Sequence, residues 1–236
     1  MLLKYFCVSI IVFVLPLLGH SEDPFTSLRR KMVEEQILLR GITDKKILNA
    51  FEKVERHLFV KPKFRQNAYK DISLDIGEGQ TITEPYIVAI MTYAVAPEYN
   101  KKVLEIGTGS GYHAAILANL VKTVYTIEFF EKLGKEAKNR LDSLGYRNVK
   151  FKIGDGFKGW EKYAPFDAII ITCSEDHIPP PLIKQLAVGG RMIIPVRYSS
   201  KVQELILIEK NSNGKLKKTN LIPVQFVPII REKDER

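Results

Sequence analysis

Val103-Leu104-Glu105-Ile106-Gly107-Thr108-Gly109-Ser110-Gly111-Tyr112 decides how the rest of this chain is read. An apolar run ends in a glycine-rich turn, and a helical pattern follows. That order predicts a buried parallel strand opening onto a ligand-holding loop. Gly107, Gly109 and Gly111 permit sharp backbone angles and close approach of a ligand. Nicotinamide enzymes, flavin enzymes and methyltransferases all place glycines here. The turn alone therefore leaves the ligand open, and a tight strand–helix turn with no ligand also fits it.

Two acidic residues narrow the choice. Glu128 closes the next apolar strand, Val124-Tyr125-Thr126-Ile127. An acid at that strand end accepts hydrogen bonds from ribose hydroxyls, or else begins the following helix. Glu105 stands just before the glycines, where a carboxylate would oppose a dinucleotide's pyrophosphate. S-adenosylmethionine carries no phosphate and is cationic at its sulfonium and ammonium groups. Glu105 thus favours a sulfonium nucleoside over NAD.

The 236 residues, 45% of them hydrophobic, are enough for one sizeable domain with additions. Helical stretches alternate with apolar strands, which predicts an α/β fold. The net charge of +9 comes from scattered basic residues mixed with acids, so no nucleic-acid partner is expected. Cys7 and Cys173 do not suggest a structural disulfide, and Cys173 reads as a buried filler. His20, His57, His113 and His177 form no close cluster of metal-ligand spacing, so no metal is expected.

Lys4, the apolar run from Tyr5 to Leu18, and the small pair Gly19 and Ser21 have the form of an export signal. Residues 1–21 are read as a signal peptide or membrane anchor, with membrane association through residues 5–18. A periplasmic or exported protein follows from that reading. The alternative is a cytoplasmic protein with a misassigned start. Residues 22–75 read as a helical region packed on the core. Phe25 to Arg40 forms one amphipathic helix ended by Gly41, and Thr43 caps a second helix through Arg56. Residues 76–230 form the main domain and 231–236 a charged tail.

The segment Gly79-Gln80-Thr81-Ile82-Thr83-Glu84-Pro85-Tyr86 precedes a helix over residues 85–96. Thr83 is placed either as its N-cap or as part of a hydroxyl-lined rim over the pocket. Gln80 and Thr81 add donors without charge, which suits recognition of a carboxylate or amide. Further strands are expected over Thr123–Ile127, Val149–Ile153, Phe166–Thr172 and Arg191–Val196. A hairpin over Val202–Lys210 and Asn220–Val227 turns at Asn211-Ser212-Asn213-Gly214. Asp155, in Gly154-Asp155-Gly156, is a third acidic strand end that could accept from an adenine amino group, or a simple turn aspartate. His177 lies in a proline-rich connector.

With these segments in view, the chain resembles the protein-L-isoaspartate (D-aspartate) O-methyltransferase family over roughly residues 27 to 230. The resemblance rests on Gly79 to Tyr86, Val103 to Tyr112, Gly154-Asp155-Gly156 with Trp160, Ala164 to Ile169, Gln185-Leu186 with Gly189-Gly190, Ile194-Pro195, and Phe226-Val227-Pro228. It implies a class I S-adenosylmethionine-dependent methyltransferase, a Rossmann-like sheet of about seven mixed strands with an N-terminal helical region and a C-terminal hairpin. It implies methylation of the α-carboxyl exposed when aspartate or asparagine rearranges to isoaspartate, and of D-aspartyl residues. The ester then collapses to a succinimide and reopens partly to aspartate. By matched positions, Glu105 with Gly107, Thr108, Gly109, Ser110 and Gly111 would hold the methionine portion of S-adenosylmethionine. Glu128 would take the ribose, and Asp155 with Gly156 the adenine. Thr83 stands where the family usually has its active-site serine, with Gln80 and Thr81 beside it. Isoaspartyl peptides and damaged proteins are the expected partners, and a monomer the expected state. A carboxylate acceptor is already ionised at neutral pH, so no general base is required. The competing readings are a methyltransferase of another small acid and a noncatalytic cofactor-binding protein.

Overall fold

The computed structural model describes residues 23–98, 101–199 and 202–231. Helix α1, Pro24–Lys31, runs directly into a wider π-turn, Met32–Leu38. The expected single helix is thus two hydrogen-bonding patterns in series, and Gly41, at φ 98°, follows them. Helix α2 spans Lys45–Lys53 and buries Ile47, Ala50 and Phe51 at helical spacing. Its cap is not Thr43. The Asp44 side chain accepts from the amides of Lys46 and Ile47, at 2.8 and 3.1 Å.

Strands β1, Leu74–Gly77, and β2, Gln80–Ile82, form a small antiparallel hairpin where the sequence suggested a plain loop. Gly77 and Gly79, at φ 108° and 69°, make its turn possible. Helix α3 is Pro85–Ala94, and its N-cap is Glu84, with no side-chain cap. Thr83 therefore lies one residue outside the position that a capping role requires.

The central elements follow in order: β3 Lys102–Ile106, α4 Tyr112–Ala118, β4 Thr123–Glu128, α5 Glu131–Ser143 and β5 Val149–Ile153. Then come β6 Phe166–Ile171, α6 Pro180–Gln185, β7 Leu186–Ser199, β8 Val202–Lys210 and β9 Leu216–Pro223. The large sheet has seven strands in the order β5-β4-β3-β6-β7-β8-β9. The first five are parallel, and β8 and β9 add antiparallel to the β7 edge. The expected turn at Asn211 closes the last hairpin, with the Asn211 side chain accepting from the amides of Asn213 and Lys215.

Strand alternation divides the core. Val103 and Ile170 face one apolar cluster with Phe51, Tyr112 and Leu117, while Leu104 and Ile169 face a second with Tyr125, Phe166 and Leu186. Both faces of β3 and β6 are covered, which is why these strands read as continuous apolar runs. The N-terminal helices share the first cluster and are part of this core.

The expected export or membrane association through residues 5–18 is corrected to this extent: nothing among the described residues supports it. Among the described residues, no helix is long and apolar enough to cross a membrane. The longest, α5, has 13 residues, whereas a span needs about 20 apolar ones. Residues 5–18 themselves lie outside the described residues.

The cap assignment is testable by urea unfolding. Asp44→Ala should lower stability by about 1 kcal/mol, and Thr43→Ala by less than about 0.5 kcal/mol. Equal losses would contradict the observed capping.

Candidate active site

An open cleft of about 980 Å³, solvent at its mouth included, lies beyond the carboxyl ends of β3, β4 and β6. Chain order reverses between β3 and β6, so this is the crevice where open parallel sheets bind ligands. Its floor is the glycine turn. Gly107 has φ 92°, and a Cβ there would sit 2.3 Å from the Thr172 hydroxyl oxygen. That hydroxyl is 2.7 Å from the Gly107 carbonyl and 3.0 Å from the Ile106 carbonyl. At Gly156 a Cβ would meet Ile106 Cγ2 at 2.4 Å. The backbone alone fits at both places.

Glu128 lines the cavity and ties the turn to the end of β4. Its Oε2 accepts from the Gly109 amide at 2.7 Å, and its Oε1 from the Phe130 amide at 3.1 Å. Burial raises its pKa, while the amide hydrogen bonds oppose that shift. A carboxylate has about four acceptor directions, so capacity remains for a ligand's hydroxyls.

Glu105 stands behind the lining, fully buried. The Thr126 hydroxyl donates to its Oε2 at 2.5 Å, and the Thr108 hydroxyl lies 2.5 Å from that of Thr126. Thr108 lines the cavity, so two hydroxyls, those of Thr126 and Thr108, connect Glu105 to it. Oε1 of Glu105 has no partner among the described residues. Burial pushes its carboxyl up to about 8, helped by the nearby Glu128 and opposed by the Thr126 bond. By sequence Glu105 is expected as a negative charge beside the glycine turn. Its burial instead favours the protonated form, and no cationic group among the described residues opposes that.

Gln80, Thr81 and Thr83 line the same cavity, with Thr108, Gly109, Ser110 and Gly156. Gly111 is the N-cap of α4, at φ 87°, and lies outside the lining. Asp155 is also outside it. Its Oδ1 accepts from the Phe157 amide at 2.9 Å and caps a short turn. Glu84, half-buried, lines the mouth. His177 packs edge-on against Phe157, away from the cavity.

Several lining residues were not anticipated. Phe129 and Phe130 follow Glu128 directly, so their position was legible although their role was not. Phe226, Val227 and Ile229 are brought in by the chain end pairing with Ser174. The Ser174 amide donates to Val227 at 2.8 Å, and the Ile229 amide to Ser174 at 2.9 Å. No local pattern encodes a contact across that sequence distance. His113 also lines the cavity. Thr92 gives its proton to the Val88 carbonyl at 2.8 Å, so the His113 Nε2–H must donate to Thr92 across 2.9 Å. Burial holds this imidazole neutral, its pKa lowered to about 3.

Away from the cavity, Asp23, Glu55 and His57 converge within 4.8 Å. The Nδ1 of His57 is 2.8 Å from the Tyr69 hydroxyl, and its ring stacks on Phe25. These contacts give the histidine a packing role in the N-terminal layer.

The sheet order, the glycine turn and the acids at successive strand ends define a class I methyltransferase fold. Comparison with known proteins narrows this further. The family model for protein-L-isoaspartate(D-aspartate) O-methyltransferase matches residues 27–234, beginning beyond the 5–18 run. A protein-L-isoaspartate O-methyltransferase 1 of Nitrosospira multiformis is 50% identical over 218 residues, covering 92% of this chain and 91% of its own. The Gloeobacter violaceus relative is 46% identical over 204 residues, covering 86% of this chain and 99% of its own. A solved protein-L-isoaspartate O-methyltransferase superposes with a TM-score of 0.76 at 30% identity. That match covers 85% of this chain but 65% of the solved one. A Plasmodium falciparum structure in complex with S-adenosyl-L-homocysteine shares the fold at a TM-score of 0.74 and 23% identity, covering 86% of this chain and 99% of its own. The chain belongs to the protein-L-isoaspartate(D-aspartate) O-methyltransferase family.

The raised pKa of Glu105 makes a pH prediction. Between its ordinary value near 4.5 and about 8, the folded chain holds a proton that the unfolded chain has lost. This contribution to stability is full below the lower value and is lost as pH rises to the upper one. Its slope approaches ~1.4 kcal/mol per pH unit within that window. Urea unfolding from pH 4 to 9 should show the decline, and Glu105→Gln should remove most of it. An unchanged slope in the variant would contradict the assignment.

Proposed function

We propose that this cavity carries out methyl transfer from S-adenosylmethionine to the free α-carboxyl of L-isoaspartyl residues, with Thr83 seating the carboxylate. The enzyme is an S-adenosylmethionine-dependent methyltransferase of its family. The observation that carries the site assignment is one cavity shared by two sets of residues. The glycine turn and Glu128 form one wall, and Gln80, Thr81 and Thr83 form another.

The residues fit a sulfonium nucleoside. Gly107 and Gly156 leave backbone where a side chain would block a ligand. Glu128 offers acceptor capacity to ribose hydroxyls, and Phe129 and Phe130 offer aromatic surface beside it. Gly156 supports the adenine end by its backbone. Asp155 supports it only indirectly, by fixing the turn. Glu105, through Thr126 and Thr108, supplies negative charge toward a cationic ligand once it ionises. When bound, S-adenosylmethionine supplies a methyl group activated by its sulfonium.

This chain's own residues then have three tasks. Thr83 donates a hydrogen bond to the acceptor carboxylate, since the residue lines the cavity and only its backbone carbonyl is engaged, by Arg56. Gln80 and Thr81 contact the adjoining peptide. Phe226, Val227 and Ile229 exclude water on the far side. A water-poor site suits the reaction, because a cation and an anion become neutral products. No base is needed for an acceptor that is already ionised at neutral pH, and the neutral His113 is not required to take a proton.

A charge-assisted hydrogen bond is worth roughly 1.5–3 kcal/mol. Thr83→Val should therefore lower kcat/KM on an isoaspartyl peptide by about 10–100-fold. Its melting temperature should stay that of the parent, because Glu84 and not Thr83 holds the cap position. Thr83→Ser should retain substantial turnover. Full turnover in Thr83→Val would remove Thr83 from the mechanism.

A further inference from the structure

Arg56 begins the short turn Arg56–Phe59 after α2 and is 0% exposed. Fully buried arginines are rare unless paired with an acid. This one is bonded to carbonyls instead. Its Nε donates to Ala68 at 2.7 Å, and its Nη2 donates to Thr83, also at 2.7 Å. Its Nη1 has no partner among the described residues. The guanidinium carbon lies 4.7 Å from the centre of the Tyr112 ring, and Tyr112 is the first residue of α4 after the glycine turn. One side chain therefore touches the substrate rim, the cofactor-side helix and the N-terminal layer.

A scaffold role alone is a poor account of this residue. A buried ion without a counter-ion is costly, and an apolar residue of similar volume packs the same space more favourably. The cost is offset if the charge acts on something that arrives. The adjacent cavity wall is Thr83 and Glu84, and Glu84 by itself would repel an anion. The N-terminus of α3 and the Arg56 guanidinium both bring positive charge to that wall. Both of the fork's contacts are long-range, spanning 12 and 27 residues, so they fix the rim relative to the core.

We propose that Arg56 is a positioning residue for methyl transfer, holding the Thr83 carbonyl so that the Thr83 hydroxyl seats the substrate carboxylate. This rests on the reading of Thr83 given above. Arg56 does not touch the substrate. It fixes the backbone from which Thr83 projects and offsets the charge of Glu84.

A double-mutant cycle tests this, using the full chain, an isoaspartyl peptide and S-adenosylhomocysteine as the binding probe. Arg56→Met should lower kcat/KM by about 10–100-fold, the range expected for a charge-assisted hydrogen bond. In a Thr83→Val background the same change should cost less than about threefold, because its route of action is already lost. Arg56→Lys keeps the charge but not the fork, and should fall between parent and Arg56→Met. Affinity for S-adenosylhomocysteine, by calorimetry, should stay within about threefold in each variant. Equal losses in the two backgrounds, or unchanged turnover in a folded Arg56→Met, would overturn the role of Arg56. So would failure of both Arg56→Met and Arg56→Lys to fold, since that marks a scaffold residue. A silent Thr83→Val with an active-site loss in Arg56→Met would instead remove Thr83 as the group acted upon, and with it this proposal's route.

Discussion

Thr172 pressed against Gly107 is the constraint on which the site depends. The end of β6 approaches the end of β3 so closely that no side chain fits at residue 107. The chain must leave β3 at Ile106 with a positive φ at Gly107 and begin α4 at Tyr112, five residues of turn later. Within that turn the Gly107 and Thr108 amides both donate to the Ile127 carbonyl at the end of β4, at 2.9 and 3.3 Å. Glu128 then accepts from the Gly109 amide and ties the turn to the neighbouring strand. The register of β3 with β4 and β6 fixes the cavity floor before any ligand contributes.

Two buried acids serve this floor differently. Glu128 has both oxygens held by amides and is a fixed feature of the wall. Glu105 has one oxygen on Thr126 and one without a partner, and burial keeps it protonated up to about 8. It gains the most when a cation enters, because that is the charge its surroundings lack. The N-terminal layer supplies the opposite sign through Arg56, beneath the wall where an anion is expected. The buried acid and the buried guanidinium thus give opposite signs of charge to the surroundings of the cavity.

The central sheet was legible because its strands are buried on both faces and so read as unbroken apolar runs ending in glycine or an acid. Glu128, the glycines and the Thr83 rim fall within or beside such runs. The hairpin of β1 and β2 was missed because its strands are only four and three residues long and carry Asp75, Gln80 and Thr81. Asp44 was passed over for Thr43 because both are good caps, and only backbone geometry chooses between adjacent residues. Asp155 could be a ligand or a turn residue by sequence, and its Oδ1 accepts from the Phe157 amide. By sequence Arg56 is only the last residue of the second helix. Its burial comes from Ala68, Thr83 and Tyr112, which are distant in the chain. Phe226-Val227-Pro228 was legible as a motif, but its place against the cavity depends on pairing with Ser174, which is distant in the chain.

The measurement that tests the central claim most directly is methyl transfer to a pair of peptides identical except at one residue, L-isoaspartyl in one and L-aspartyl in the other. With labelled S-adenosylmethionine at neutral pH, the account predicts a base-labile methyl ester on the isoaspartyl peptide and only background label on its partner. Equal labelling of the two peptides, or labelling of small free carboxylic acids in preference to both, would contradict it.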